Sequence, residues 1–443
     1  MADLRPAADR LQQADPPDGD PPPRQLVLLC DGTNNNLTGG ERDTHVVLLA
    51  ELLRADPDPR RVVWYDPGVG NPADVPGTTV WDKASRLSER IAGLAFGRGV
   101  FDNVAEGYRF LMRHWQGPSD RIFVIGFSRG AFTARSVAGL VNRFGILDPQ
   151  HASLLPTLLH LYFADDSPRV QAVSRQVSRL FEDAASASRR PDIWFVGVWD
   201  TVATVGLWPA ELRIRARPTL TGKRFVHVRQ ALALDEMRAQ FKPRAYAEDD
   251  GPVLLADGRM GTVRQRWFRG AHADVGGGYP LGESAVAREP LAWLIAEAVE
   301  RGLRLRVGGV ALDSEGRVSE AVSAVVTRIT GLPDPVAAGA PRRLHSQLAE
   351  APLWTLSGLA VRDTTTAAVD GGPPVPVRTA EHPSVAAWTP RTPAEAGWPR
   401  VRLGPGWWVA MLLCVLIPVA LGHLAANPVP AWPPDAGLAE RGL

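Results

Sequence analysis

The chain of 443 residues predicts an α/β fold: a mostly parallel sheet with helices on both faces, a helical insertion and one C-terminal transmembrane helix. Three observations carry that expectation. Short apolar runs of strand character alternate with helically periodic segments from residue 25 to about 305, the pattern of strands joined by crossover helices. One serine stands between such a strand and such a helix with a glycine two positions away on each side. Residues 406–426, GWWVAMLLCVLIPVALGHLAA, contain no Lys, Arg, Asp or Glu across 21 positions, the length that crosses roughly 30 Å of hydrocarbon.

Taken in order, residues 1–24 are rich in Pro and Asp and lack the apolar core of a signal peptide, so a disordered leader is expected. RQLVLLCDGTNNN is a strand entering a polar loop, and RRVVWYDPGVG (60–70) is a second strand ending in a turn. Residues 81–115 have helical periodicity with a glycine-rich break near 97–99. A strand at 121–125 leads to the serine, and AFTARSVAGLVNRF continues as a helix. HASLLPTLLHLYFADD and VQAVSRQVSRLFEDAAS read as helices of an inserted cap. PDIWFVGVWDTVATVG (191–206) is a fourth strand ending at Asp200, and residues 225–246 read as a segment leading into a helix. VRQRWFRGAHADVGGGYP (263–280) is a fifth strand followed by a glycine loop, and 288–302 is a periodic helix. These elements delimit a catalytic domain over 25–305, followed by a poorly defined region and Pro/Ala/Thr-rich linker over 306–405. The membrane segment 406–426 and a short tail over 427–443 complete the chain.

Trp407 and Trp408 edge the apolar run, where aromatic rings favour the membrane interface. Arg391, Arg400 and Arg402 outweigh the single Arg441 beyond it, which orients a single-pass protein with its bulk in the cytoplasm. A buried core helix is the alternative reading. A net charge of +1 and the lack of a long basic run argue against nucleic acid as a partner. Two cysteines, Cys30 and Cys414, exclude a disulfide framework or a cysteine zinc site. No His, Cys and carboxylate cluster has metal-ligand spacing, so neither metal nor cofactor is expected. Oligomeric state is not legible in the sequence.

The chemistry centres on Gly126-Phe127-Ser128-Arg129-Gly130, the G-x-S-x-G pattern of a strained strand-to-helix turn. A serine hydroxyl is almost fully protonated at neutral pH, so a nucleophilic Ser128 needs a base and an acid that orients it. The α/β-hydrolase chain order is Ser, Asp or Glu, then His. Asp200 and His272 follow Ser128 in that order, each where a predicted strand gives way to a loop, the edge at which sites assemble in parallel sheets. Asp200 could instead cap a turn, and His272 could be a hydrogen-bonded histidine beside a tight loop. Asp274 is the rival acid, although its place beside three glycines suits it to bracing that loop. Oxyanion donors are expected from the backbone N–H of Arg129 and from Gly32 or Thr33 after the first strand. Asp31 evokes the phosphatase pattern D-x-D-G-T, but Leu29 occupies the place of its nucleophilic aspartate. Arg129 and Arg135 are read either as ligands for a phosphate head group or as members of structural ion pairs.

LVLLCDGTNN, GFSRGAFTAR, GVWDTV, HVRQALALDEMRAQFKP and WFRGAHADVGGGYP resemble, in order, the blocks of the type VI secretion phospholipase effector catalytic domain, Tle family one. That family is also described as an uncharacterised α/β-hydrolase domain class. The resemblance spans roughly residues 24–305 and implies Ser128 as nucleophile, Asp200 as triad acid and His272 as base. It further implies hydrolysis of phospholipid acyl esters of the phospholipase A type, with membrane lipid as substrate. Ala273 stands where a small hydroxyl residue is usual, and Arg269 where proline is common. A linker and one hydrophobic helix replace the sizeable C-terminal membrane-docking module, so a secreted-effector location is an alternative to permanent anchoring. Alternatives to the phospholipase reading are an esterase for another ester and a membrane-anchored binding module on a hydrolase scaffold. A patatin-like Ser–Asp dyad fits poorly, because Asp31-Gly32 precedes the serine.

Overall fold

The central sheet grows from runs of Val, Ile, Leu and Phe that are buried on both faces, as parallel strands covered by helices must be. The structure is a computed structural model and describes residues 21–32, 43–68, 94–164, 167–180, 190–202, 204–205, 212–213, 219–238, 241–280, 285–305, 319–330, 344–345, 362, 364–367 and 375–387. Most of the expected leader, the expected transmembrane segment 406–426 and the expected tail 427–443 lie outside the described residues. No helix among the described residues is long and apolar enough to cross a membrane.

The strands of the central sheet are β1 (Gln25–Cys30), β2 (Arg61–Asp66), β3 (Arg121–Phe127), β4 (Ile193–Trp199), β5 (Phe225–Ala233), β6 (Gly251–Leu254), β7 (Met260–Phe268) and β8 (Ala380–Glu381). They form one sheet in the order β8-β7-β5-β4-β3-β1-β2, with β6 also paired to β7. All pairings are parallel except that of β6 with β7. The pleat sends alternate residues to opposite faces. Leu26, Leu28 and Cys30 therefore join Val124 and Val196 in one core, while Val27 and Leu29 join Phe123, Ile125 and Phe195 in the other. Helices Leu94–His114, Ser128–Phe144 and Leu155–Phe163 cover the first face. Helices His45–Ala55, Arg288–Glu300 and Glu320–Thr330 cover the second. The two-faced α/β architecture is as expected from the sequence.

Three segments differ from expectation. Residues 225–233 form a central strand, and no helix follows among the described residues up to 246. Its alanines and its interior Arg229 and Gln230 disguise it. Both polar side chains are fully buried, and Arg229 is neutralised by an ion pair with Glu297 on helix Arg288–Glu300. Residues 155–163, expected in a cap, bury Leu155, Leu158 and Leu161 in the first core. Within the stretch expected to be a linker, β8 extends the sheet beside Arg266 and Trp267, and His382 donates its amide to the Trp267 carbonyl at 2.9 Å.

Candidate active site

Ser128 begins the helix Ser128–Phe144 directly after β3, and its φ is 58°. Asp200 directly follows β4 with φ 38°. Among the described residues these are the two non-glycine positions of positive φ, a backbone region costing of order 1–3 kcal/mol and concentrated at functional sites. The glycines of the motif explain how the turn closes. A Cβ on Gly126 would stand 2.6 Å from the Gly130 carbonyl oxygen, and one on Gly130 would collide with the carbonyls of Cys30 and Asp31. Small residues at both places let the helix start against the ends of β3 and β1.

Phe127 pairs with Trp199, Trp199 with Ala231 and Ala233 with Phe268, so the carboxyl ends of β3, β4, β5 and β7 share one rim. The rim brings the three distant side chains together. His272 Nδ1 lies 2.6 Å from Asp200 Oδ2, and its Nε2 lies 2.7 Å from Ser128 Oγ. An ionised carboxylate only accepts, so Nδ1–H donates to Asp200 and Nε2 accepts from the serine hydroxyl. All three residues are buried, with Ser128 8% exposed.

A family model for the catalytic domain of Tle1-like type VI secretion phospholipase effectors matches residues 24–297. The chain belongs to that family. The Tle1-like family is one of phospholipase-type hydrolases, with lipid as substrate. An uncharacterized protein of Saccharomyces cerevisiae, YEL023C, is 30% identical over 227 residues, which cover 49% of this chain and 32% of the relative. The Tle1-like chain thus spans about a third of that relative's length. An uncharacterized protein from Pseudomonas aeruginosa of known crystal structure is 19% identical with a TM-score of 0.36, over 75% of this chain and 54% of that one. The Tle1 effector bound to the VgrG spike from the Type 6 secretion system is 17% identical with a TM-score of 0.30, over 59% of this chain and 53% of that one.

The electrostatics of the Tle1-like site follow from burial and from paired charges. Burial raises the Asp200 carboxyl, but the Arg362 guanidinium and His272 outweigh it and hold Asp200 well below the usual carboxylate range. Burial lowers the His272 imidazole; Asp200 opposes this, and Arg238 adds to it. The burial has a visible source: Phe127 and Phe241 pack on the ring with centroids 4.6 and 4.9 Å away. The His272 amide donates to Glu236 Oε2 at 3.2 Å, and Arg238 grips both oxygens of Glu236 at 2.9 and 2.8 Å.

The other sequence candidates separate. Asp274 does not hold the His272 ring. It accepts from the Ala271 amide at 2.9 Å and lies 2.6 Å from His345 Nδ1, bracing the loop. Asp31 accepts from Thr44 Oγ1 at 2.8 Å, Tyr65 Oη at 2.9 Å and the Gly32 amide at 2.6 Å. The Gly32 amide is therefore engaged by its neighbour, and Thr33 lies outside the described residues. Arg129 follows Ser128 in the first helical turn, where backbone amides face the helix start; burial lowers its guanidinium to about 10. Arg135 donates to the Arg244 carbonyl and stacks 4.0 Å from the Tyr246 ring centroid. Both contacts are structural, and neither is an ion pair.

Sequence reasoning missed Glu236, Arg238, His345 and Arg362. Glu236 and Arg238 lie inside HVRQALALDEMRAQFKP, one of the motif blocks, and their spacing on either side of Met237 was the available signal. Arg362 stands in an Ala/Thr-rich stretch with no local pattern to mark it.

Proposed function

We propose that the chain is a serine ester hydrolase that cleaves phospholipid acyl esters through Ser128, His272 and Asp200. The observation that supports it most is the continuous bonded path from Ser128 Oγ through the imidazole to Asp200, with strained backbone at both ends. In this mechanism His272 Nε2 takes the Ser128 proton as Oγ attacks the ester carbonyl. The Asp200 carboxylate holds the ring in the right tautomer and stabilises the imidazolium. The tetrahedral oxyanion rests on the Arg129 amide and on a second donor from the 32–33 loop. Thr33 fills that place, or Gly32 does after its bond to Asp31 opens. The imidazolium returns its proton to the departing alcohol, leaving a lysophospholipid and an acyl-serine. Water, deprotonated by the same His272, releases the fatty acid.

No metal or other cofactor enters these steps. The 406–426 segment supports anchoring in the bilayer beside the substrate, with the catalytic domain on the cytoplasmic side. The effector character of the family supports a secreted role instead. Incubation with mixed phospholipid vesicles followed by lipid mass spectrometry tests the reading. It expects fatty acid and lysophospholipid from the native chain and neither from Ser128→Ala. Cleavage restricted to non-phospholipid esters favours the esterase alternative, and inertness toward every ester favours a binding module.

A further inference from the structure

Arg362 lies outside the matched domain, 65 residues beyond its last residue at 297, yet it reaches the centre of the site. We propose that Arg362 is a positioning residue of the triad, clamping both carboxylate oxygens of Asp200 and setting the pH at which His272 acts as a base. This rests on the triad reading above. Arg362 Nη2 donates to Asp200 Oδ2 at 2.9 Å and to the Phe241 carbonyl at 2.6 Å. Its Nη1 donates to Asp200 Oδ1 and to the Ala233 carbonyl, the latter at 2.8 Å. One guanidinium thus ties the acid to the end of β5 and to the loop bearing Phe241, whose ring packs on His272.

The first consequence is orientation. Asp200 Oδ1 also accepts the Ala233 amide at 3.0 Å, and Oδ2 is shared between Arg362 and the imidazole. Both oxygens are engaged from two sides, so the carboxylate plane has little freedom to turn away from Nδ1. The planar, bidentate fork of arginine suits this task, and a lysine ammonium does not reproduce it.

The second consequence concerns charge. Among the described residues, the charged groups facing His272 are Asp200 after β4, Glu236 and Arg238 after β5, and Arg362 behind Asp200. Asp274, on the short helix His272–Gly276 itself, is bonded to His345. Glu236 is matched by Arg238, and Asp200 is matched by Arg362. Each carboxylate beside the ring therefore carries its own arginine. Without Arg362, one uncompensated negative charge remains against Nδ1. That charge favours the imidazolium, so the ring becomes a neutral base only at higher pH.

The test is the pH profile of kcat/KM for p-nitrophenyl butyrate, using the full chain and the variants R362K, R362M and R362Q, with folding checked by circular dichroism. R362M should move the acid limb upward by about one pH unit and lower kcat more than it raises KM. R362K keeps the charge and should leave the limb in place, with kcat still reduced because the fork is lost. R362Q removes the charge while retaining polar donors, and it supplies the same comparison if the methionine variant does not fold. An acid limb unmoved in the folded uncharged variant overturns the proposal, whatever its kcat. Ester cleavage that survives Ser128→Ala, or an inert native chain, overturns the triad reading itself and this proposal with it.

Discussion

Ser128 and Asp200 leave neighbouring parallel strands at adjacent positions, Phe127 lying opposite Trp199, and both turn off with positive φ. The paired turns raise the two side chains above the same rim, where His272 bridges them. Strain is thus placed at two ends of one hydrogen-bonded path.

Backbone strain at the nucleophile makes a stability prediction. At φ 58° alanine is disfavoured where glycine is not, so Ser128→Gly should exceed Ser128→Ala in unfolding free energy by about 1 kcal/mol. Urea titration of both inactive variants measures the difference. Equal stabilities count against a strained elbow.

The Gly130 position should be intolerant of any side chain. Alanine there drives a Cβ into the carbonyls of Cys30 and Asp31, backbone atoms that yield only if β1 and the helix separate. Gly130→Ala should lose about 3 kcal/mol of stability and most of its activity, as read by thermal unfolding and ester turnover.

Asp200 and Asp274 should separate cleanly in kinetics. In Asp200→Asn the oxygen is drawn to the Oδ1 place by the Ala233 amide and Arg362. That turns the amide NH2 toward Nδ1, imposes the wrong tautomer and lowers kcat roughly 10⁴-fold. Asp274→Asn weakens the brace to His345 and Ala271. It should cost about 1–3 kcal/mol of stability while kcat per folded molecule stays within about tenfold of native, the scale of a small change in geometry.

Activity should persist into mildly acidic solution. Burial depresses His272 below the ordinary value of 6.5, so the neutral base survives as pH falls through that value and is lost only on protonation at lower pH. The acid limb of kcat/KM should therefore have its midpoint below 6.5. A midpoint above it contradicts the buried, doubly compensated ring described here.

The parallel sheet, its two helical layers and the elbow were legible because each depends on local pattern: apolar runs for β1, β3 and β4, and glycines flanking Ser128. The strand at 225–233 was not, because its interior carries Arg229 and Gln230, whose burial makes sense only once Glu297 is in place across the fold. The convergence of Ser128, Asp200 and His272 could be read from chain order and strand ends. Arg362 could not. Arg362 contacts Asp200 across 162 residues, and no spacing rule reaches that far.

The most direct measurement is labelling with a fluorophosphonate probe, followed by peptide mass mapping of the full chain. The account predicts a phosphonyl adduct on Ser128 in the native protein, none in Ser128→Ala, and labelling slowed at least about 10³-fold in His272→Ala. Equal labelling of the native chain and Ser128→Ala, or a folded native chain that does not react at all, would contradict it.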